Sequence, residues 1–383
     1  MKSEMFSWPV TLAILVLAFG ALVAAGLPLI LTLAGLVASA GSLVLINQLV
    51  PVSIWAMNFA MMFALALGID YALFLVVRFR AARMGHHESP RQAIAETMDT
   101  AGKAVLLSGA TVLISLSAVM LVPSPSFRSM AGGIMLSVVF VLAATLTLLP
   151  LVLHKLDQRI NKLALPWVHT GEHRSPKFEA WGERLWKRPV AFGLAALVVL
   201  LALAAPIIGL KTAMPSIKVL PDDASARVGY DLVQQNFGEG APGALQVVAD
   251  PADAEKTYDA LTSDPGIAAA MPAMPAPDDS EHVLIQAVPT VDPSDPQLGE
   301  TVDRLRAELP DSAIVGGAAV ENLDLKSQLD ESTPLVIGVI LGLGFLLLLV
   351  ALRAPLIALL GTLASLLSTA AAFGVARLVF QEG

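Results

Sequence analysis

Long runs without any charged residue constrain this chain more than any other feature of its sequence. Residues 5–69 contain no Asp, Glu, Lys, Arg or His, and the runs 104–127, 129–153, 189–210, 332–352 and 354–376 share this property. About 20 consecutive apolar residues are enough for a helix to cross a hydrocarbon core of about 30 Å. Each shorter run allows one crossing and the first allows three. The sequence therefore predicts a polytopic α-helical membrane protein with about eight spans.

The composition excludes several classes of function. Charged residues make up 15% of the chain, whereas soluble proteins contain about 25%. The absence of cysteine excludes disulfides and thiolate metal sites. The histidines lack metal-ligand spacing, and no phosphate-binding loop of the G-x-x-x-x-G-K-[ST] type is present. We therefore expect no cofactor, no metal and no enzymatic activity.

The basic residues predict the orientation, because loops rich in Lys and Arg stay in the cytoplasm. With eight spans, residues 78–103, residues 154–188 and Arg353 lie on one side and together hold 14 of the 24 basic residues. We interpret these loops as topology determinants, not as lipid- or nucleic-acid-binding patches. The prediction is a multi-pass protein of the cytoplasmic (inner) membrane. Residues 1–153 form membrane spans, 154–188 a cytoplasmic basic linker, and 189–211 a further span.

Residues 212–331 have a different composition, with 22 acidic and six basic residues. Their position in the span order places them outside the cytoplasm. Apolar periodicity predicts strands at 245–249, 266–271, 282–289 and 313–315, helices at 254–261 and 298–309, and a leading helix at 226–237. The order β-α-β-β-α-β is that of the split βαβ unit. We therefore predict an α+β ferredoxin-like extracytoplasmic domain, followed by a membrane hairpin over 332–383.

An internal repeat is indicated by a constant offset of 333 residues between two segments. Residues 12–48 and 345–381 share ten identities over 37 positions, including the pair Gly41 and Gly374. Both segments read as helical hairpins with tight turns, at Phe19-Gly20 and at Leu352-Arg353. The pattern predicts that the chain is a fragment of a longer two-fold repeat.

Asp70 is the only acidic residue within the predicted spans. It lies eight residues before Arg78, which places it about 12 Å inside the cytoplasmic boundary. An ionised Asp at the centre of a membrane helix costs about 2.5–3.5 kcal/mol, so such a group is expected to face protein or water and to be functional. Tyr71 adjoins it with a hydroxyl that can donate to the carboxylate. The alternative is an Asp that caps a broken helix or pairs with a neighbouring hydroxyl.

Hydroxyl side chains of the following span are candidate partners of Asp70. Ser108, Thr111 and Ser115 share one helical face, with Ser117 close by, and Asn58 is a further polar residue in the span of Asp70. Two interpretations stay open, since such hydroxyls also bond to the carbonyl group four residues earlier.

The sequence Gly68-Ile69-Asp70-Tyr71-Ala72-Leu73-Phe74, followed by Arg78-Phe79-Arg80, resembles the fourth transmembrane helix of MMPL (mycobacterial-membrane-protein-large) transporters. These belong to the resistance–nodulation–division superfamily. Further matching motifs are Ala101-Gly102-Lys103-Ala104-Val105, Leu148-Leu149-Pro150, Met214-Pro215-Ser216, Val219-Leu220-Pro221, Asn236-Phe237-Gly238-Glu239-Gly240 and Val315-Gly316-Gly317.

The resemblance implies twelve spans, two porter domains, and export of lipids or other hydrophobic molecules driven by protons. It implies that Asp70 and Tyr71 relay protons, with Ser108, Thr111 and Phe74 as supporting candidates. A second Asp-Tyr pair is expected opposite them. This chain is then expected to lack the first span, the first porter domain and the last spans, which a homo-oligomer or another chain would supply.

Two functions of other classes stay open. One is a membrane assembly or sensor protein that does not transport and acts through its porter domain. The other is an accessory of protein secretion that uses protons.

Overall fold

A computed structural model describes residues 2–85, 89–163, 176–210, 216–276 and 281–382. Parts of the predicted linker (164–175) and of the predicted soluble domain (212–215 and 277–280) lie outside the described residues, as does the motif at Met214-Pro215. The described residues fall into two units. One comprises 2–210 and 334–382, and the other comprises 216–333.

The described residues before 211 form mainly helices, which include the charge-free runs and two shorter segments that carry charged residues. Their bounds are α1 (Lys2–Phe19), α2 (Leu22–Asn47), α3 (Ile54–Gly85), α4 (Pro90–Thr97), α5 (Lys103–Val119), α6 (Pro125–Ala143), α7 (Leu149–Leu156), α8 (Pro176–Lys187) and α9 (Pro189–Ala204). A π-helical turn at Met98–Gly102 joins α4 to α5, and another at Ala144–Leu148 joins α6 to α7. Each of these two pairs therefore forms one continuous helix.

Seven helices in the described part of the chain are long and apolar enough to cross a membrane. The eighth predicted span corresponds to α1, whose apolar part is shorter, at Pro9–Phe19. The prediction of a multi-pass helical membrane protein is confirmed, with seven spans of full length.

The first membrane helices pack through small residues. Helix α3 lies on α2 and α6, and α5 lies on α6. Ala56, Ala60 and Ala64 of α3 are almost fully buried, which lets the helix backbones approach closely. A polar link crosses this interface. The hydroxyls of Ser39 and Ser137 lie 2.6 Å apart, and Ser137 donates to the carbonyl oxygen of Ala60 at 2.9 Å.

The structure corrects the prediction of a loop directly after the third span. Helix α3 continues to Gly85 because no residue before this glycine breaks it, and its arginines are bound within the fold. Arg78 pairs with Glu96 at 2.8 Å, and Arg83 pairs with Asp157 at 2.6 Å. Arg80 is buried and donates to the carbonyl oxygen of Phe19 at 2.8 Å. These cations join the helix ends.

The second unit contains the predicted elements. They are α10 (Ser225–Phe237), β1 (Leu245–Ala249), α11 (Ala254–Ser263), β2 (Ile267–Ala270), β3 (Met274–Pro275), β4 (Val283–Pro289), α12 (Gln297–Glu308) and β5 (Ile314–Gly316). Each predicted strand and helix is confirmed within a few residues. The short strand β3 is an addition that the periodicity did not indicate.

The strands form one antiparallel sheet in the order β2-β4-β1-β5, with β3 also paired to β4. In register, Val247 of β1 lies opposite Ile285 of β4 and opposite Val315 of β5. The core of the unit lies between this sheet and helices α11 and α12, where Leu261, Leu298 and other apolar side chains are buried.

Asp292 holds α10 and the segment before it. Its Oδ2 accepts hydrogen bonds from Tyr230 at 2.9 Å and Gln234 at 2.6 Å, and it pairs with Lys218 at 2.8 Å. Its Oδ1 accepts from the backbone of Ser294 at 2.8 Å. Burial raises the pKa of the Asp292 carboxyl, but the hydrogen bonds from Lys218, Ser294 and Tyr230 outweigh this effect and hold the pKa well below its usual range.

We predict that Asp292→Asn lowers the free energy of opening of α10 by about 2 kcal/mol at neutral pH, as expected for a lost hydrogen bond to a charged group. The lowered pKa of the folded state means that this stabilisation is present above the unfolded pKa of about 3.9 and is lost as the pH falls below it. Hydrogen exchange of α10, compared at neutral pH and near pH 3, measures the difference. The loss of free energy caused by Asp292→Asn should be smaller near pH 3 than at neutral pH. The control Asp259→Asn, at an exposed site of α11, should leave the free energy of opening of α10 unchanged at both pH values. A deficit that is equal at both pH values would contradict the prediction.

The last two helices are α13 (Ala318–Leu352) and α14 (Pro355–Phe380). At the offset of 333, α2 and α14 begin and end at equivalent positions, and α1 and α13 end at equivalent positions. Gly20 and Arg353, which are equivalent in the two turns, both have positive φ, at 67° and 52°.

Helices α9 and α14 run parallel, with their carboxyl ends together. Arg377 near the end of α14 donates to the carbonyl oxygen of Pro206, which follows α9, at 2.7 Å. A parallel pair requires one antiparallel crossing between the two helices in the chain, and α13 provides it. This agrees with the predicted alternation of spans.

Candidate functional site around Asp70

One face of α3 carries an exposed stripe of residues at four-residue spacing. It consists of Asn58, Met62, Ala66, Asp70 and Phe74. The opposite face of the helix is buried against α2 and α6. Residues four apart lie on the same side of an α-helix. The stripe therefore brings Asn58 and Asp70 onto one face.

The structure places Asp70 on the uncovered side of α3. Its side chain is exposed, whereas the sequence predicted that a carboxylate at this depth faces protein or water. Among the described residues, none forms a hydrogen bond or an ion pair with it. The reason is the packing of α3, which turns its alanine and glycine face toward α2 and α6 and leaves the Asp70 face uncovered.

Tyr71 lies on the buried side of the same helix. It is only 4% exposed, packs in the core of the helical unit, and its hydroxyl has no hydrogen-bond partner within the described part of the chain. Consecutive residues of a helix point about 100° apart, so Asp70 and Tyr71 face different surroundings. The expected hydrogen bond between them is not formed in this arrangement.

Sequence reasoning missed Thr32 of α2. Its Oγ1 is also buried without a partner in the described structure. Thr32 packs against Gly68, one turn before Tyr71, since a β-carbon added to Gly68 would lie 2.5 Å from the Thr32 Oγ1. The only signal in the sequence was a hydroxyl within an apolar helix. This signal does not show which neighbour the hydroxyl contacts.

We predict that Gly68→Ala destabilises the helical unit by about 1–3 kcal/mol, the usual cost of overpacking. Thr32 is β-branched, has little freedom to rotate away, and is 1% exposed. Thermal unfolding of the purified protein in detergent measures the effect. Gly41→Ala is the matched control, because a β-carbon there meets nothing within 4 Å. Equal stability of the two variants would show that the close approach of α2 and α3 is not required.

The hydroxyls of α5 are not assembled around Asp70. Thr111 donates to the carbonyl oxygen of Leu107 at 2.8 Å, so the interpretation as a local backbone bond is confirmed for this residue. Ser117 likewise donates to Ile114 at 2.6 Å. Ser108 is exposed and Ser115 is half-buried. Since α5 packs on α6 and has no extensive interface with α3, no described hydrogen bond joins these hydroxyls to Asp70.

Comparison with protein families gives a match over most of the chain. The model of the MMPL family matches residues 1–192 and 218–383. The chain belongs to the MMPL family. The match includes α3 with Asp70, and it is interrupted only over residues 193–217, which include most of α9.

Individual MMPL relatives align with the whole chain. The mycolic acid-containing lipids exporter MmpL11 of Mycolicibacterium smegmatis is 32% identical over 403 residues, covering 100% of this chain and 42% of the exporter. The heme uptake protein MmpL11 of Mycobacterium tuberculosis is 32% identical, with 100% and 41% covered. The membrane protein YdfJ of Bacillus subtilis is 29% identical, with 100% and 54% covered. The chain thus spans about half the length of the curated relatives that it matches.

A solved structure shares the fold. The crystal structure of SecDF in its super-membrane-facing form matches with a TM-score of 0.50 at 18% identity, covering 97% of this chain and 47% of SecDF. At this level of identity the match concerns the fold alone.

Proposed function

We propose that this MMPL chain is part of a transporter that exports lipids or other hydrophobic molecules from the cytoplasmic membrane, driven by protons. The observation that carries the proposal is the stripe on α3, which presents a single carboxylate at membrane depth on an uncovered helix face. A carboxylate that faced lipid would be costly. The stripe therefore requires polar groups of another membrane segment that shield Asp70 from lipid.

In this proposal, that segment belongs to a second membrane repeat, in the same or another chain, that brings a complementary polar group to Asp70. The equivalence of the hairpins α1–α2 and α13–α14 supports it, because a two-fold repeat places a second copy of α3 after a second copy of α2. Asp70 then gains and loses a proton as the two repeats move relative to each other. Tyr71 and Thr32 are the nearby buried hydroxyls that can complete the path through small rearrangements of α2 and α3.

The unit formed by residues 216–333 is, in the same proposal, an extracytoplasmic porter domain of the ferredoxin-like type. Two observations support this. Its strand order β2-β4-β1-β5 is fully antiparallel, and β1 and β2 run parallel on either side of β4, as in a split βαβ unit. Its excess of acidic residues also suits the side of the membrane opposite the basic loops.

Lipid is the proposed cargo because a relative at 32% identity is a mycolic acid-containing lipids exporter, and the trehalose monomycolate exporter MmpL3 of Mycolicibacterium smegmatis is 23% identical over the whole chain. A relative of equal identity carries the name of a heme uptake protein. The cargo experiment therefore includes both lipid and heme.

The test is transport in vesicles that contain the complete transporter. An imposed pH gradient is expected to drive the cargo across the bilayer, and a protonophore that collapses the gradient should reduce the rate to that of empty vesicles. Lipid and heme are compared in parallel, with empty vesicles as the control. Transport that continues unchanged after collapse of the gradient would overturn the proton-driven mechanism.

A further inference from the structure

The amphipathic helix α8 lies directly before the span that begins with α9. Phe178, Trp181 and Leu185 follow each other at intervals of three and four residues and so form one apolar face. Phe178 is 78% exposed, and Trp186 at the edge of this face is 87% exposed. Aromatic side chains of this size are left uncovered by the protein that the structure describes.

The position of α8 follows from its connection to the membrane. A single residue, Arg188, separates the end of α8 from the start of α9. The apolar stretch Pro189–Gly209 has a mean hydropathy of 2.7 and must begin at the edge of the hydrocarbon core. Helix α8 is therefore held within a few ångströms of the membrane surface, on the side of the basic loops in the proposed topology.

The bend between α8 and α9, the elbow, is stabilised by a contact between two aromatic rings. The rings of Trp181 and Phe192 meet edge to face, with centroids 5.9 Å apart and planes at 65°. The inner corner of the elbow is a groove of about 470 Å³, whose walls are mainly apolar and contain two glycines. Its lining consists of Gly182, Leu185, Trp186, Pro189, Phe192 and Gly193.

The charge around this apolar face is positive. Residues 177–188 contain the four cations Lys177, Arg184, Lys187 and Arg188 against two carboxylates, Glu179 and Glu183, which leaves two positive charges in excess. On the helix, Lys177 and Arg184 flank the side of the apolar face that carries Trp181. Aromatic residues and cations in this arrangement favour the interface of a membrane that contains anionic lipid.

We propose that α8 and the first turn of α9 bind anionic phospholipid at the membrane interface. The aromatic face enters the boundary between headgroups and acyl chains. Lys177 and Arg184 bind the lipid phosphate, and the groove in the elbow accommodates the upper part of an acyl chain. This role does not depend on proton coupling at Asp70.

The test uses the natural absence of cysteine in this chain. Gly182→Cys and Ala180→Cys are each labelled with an environment-sensitive fluorophore in the whole protein, reconstituted in phosphatidylcholine vesicles with or without phosphatidylglycerol. The two sites are two residues apart, so their side chains point about 160° apart around the helix. A β-carbon at Gly182 meets nothing within 4 Å, and Ala180 is exposed, so both variants should fold.

Nitroxide groups on the lipids report contact with the label. We expect quenching at Gly182→Cys to exceed that at Ala180→Cys several-fold, and nitroxide on phosphatidylglycerol to quench more strongly than nitroxide on phosphatidylcholine. Lys177→Gln/Arg184→Gln should remove this lipid preference. Lys187 and Arg188 are kept in that variant to preserve the charge that flanks α9. The control Glu179→Gln/Glu183→Gln should leave the preference intact.

Three results would each overturn the proposal. Equal quenching at the two sites would show that the apolar face does not enter the bilayer. Equal quenching by the two lipids would exclude a preference for anionic headgroups. A Gly182→Cys label that is shielded from both lipid and water would show that protein, such as a second copy of the chain, fills the groove.

Discussion

Asp70→Asn is expected to abolish proton-driven transport in the complete protein while leaving its expression and membrane insertion unchanged. Asparagine has nearly the same size as aspartate and can form hydrogen bonds, but it cannot release a proton. If Asp70 carries the coupling proton, we expect the transport rate to fall by about 100-fold or more, as for other groups whose proton transfer is lost. The measurement is cargo transport in vesicles with an imposed pH gradient, together with the accompanying proton flux.

Two substitutions on the same helix face distinguish this effect from damage to the helix. Asp70→Glu keeps a carboxyl group and should retain part of the activity. Asn58→Ala removes the other polar residue of the stripe, three turns away, and should leave proton flux intact. Normal export by Asp70→Asn would refute the relay. Absence of export from the native protein as well would favour a membrane assembly or sensor protein, whose activity would depend on residues 216–333.

The membrane class and most elements were predictable because each rests on a local pattern. The charge-free runs follow directly from the cost of charge in hydrocarbon, so they predicted α2, α3, α5, α6, α9, α13 and α14 at membrane depth. The turn at Phe19-Gly20 was predicted as part of the helical hairpin over residues 12–48, one of the two segments of the internal repeat. Strands β1 and β4 of the second unit alternate inward and outward, and β4, which shows this alternation over seven residues, was predicted to within one residue.

The surroundings of Asp70 were not predictable in the same way. Sequence places a carboxylate on a helix, but which face of α3 meets its neighbours depends on the combined fit of α2, α6 and α3. Small residues such as Ala60 and Gly68 decide this fit, because they allow the closest approach. The face of α3 that carries Asp70 is the one that this packing leaves exposed. The sequence of residues 68–74 alone does not indicate that this face stays uncovered.

The arginines at the end of α3 illustrate a second limit. They were read as residues of a loop because charge usually ends a span. Arg78 and Arg83 instead lie within the helix and pair with Glu96 and Asp157, which are 18 and 74 residues away in the chain. Pairings over such distances have no periodic signal. The amphipathic face of α8 was also missed, because the basic residues of this segment had already been explained as topology determinants.

The motif Asn236-Phe237-Gly238-Glu239-Gly240 has a steric explanation in the structure. Gly238 ends α10 with a φ of 101°, a conformation that favours glycine. Gly240 has an ordinary φ of −82°, so its requirement is different. A β-carbon at Gly240 would lie 2.0 Å from the carbonyl oxygen of Pro289 and 2.9 Å from that of Val291. The backbone after α10 therefore rests directly on the end of β4.

Gly240→Ala is expected to destabilise the unit formed by residues 216–333 by about 3 kcal/mol, at the upper end of overpacking costs. The cost is high because the atoms that must move are backbone atoms at the end of a central strand, not the tip of a flexible side chain. Displacing Pro289 also disturbs Asp292, which binds Tyr230 and Gln234 of α10. Hydrogen exchange of peptides from β4 and α10, in the whole protein, measures the free energy of opening.

Gly229→Ala provides the matched control within the same unit. Gly229 lies inside α10, and a β-carbon there meets nothing within 4 Å. The change from glycine to alanine in a helix interior stabilises by up to about 1 kcal/mol, so this variant should exchange more slowly in α10. The two substitutions add the same methyl group and should act in opposite directions. Equal exchange in both variants would contradict the close contact between Gly240 and Pro289, whereas faster exchange in Gly240→Ala alone would show that this contact holds α10 on the sheet.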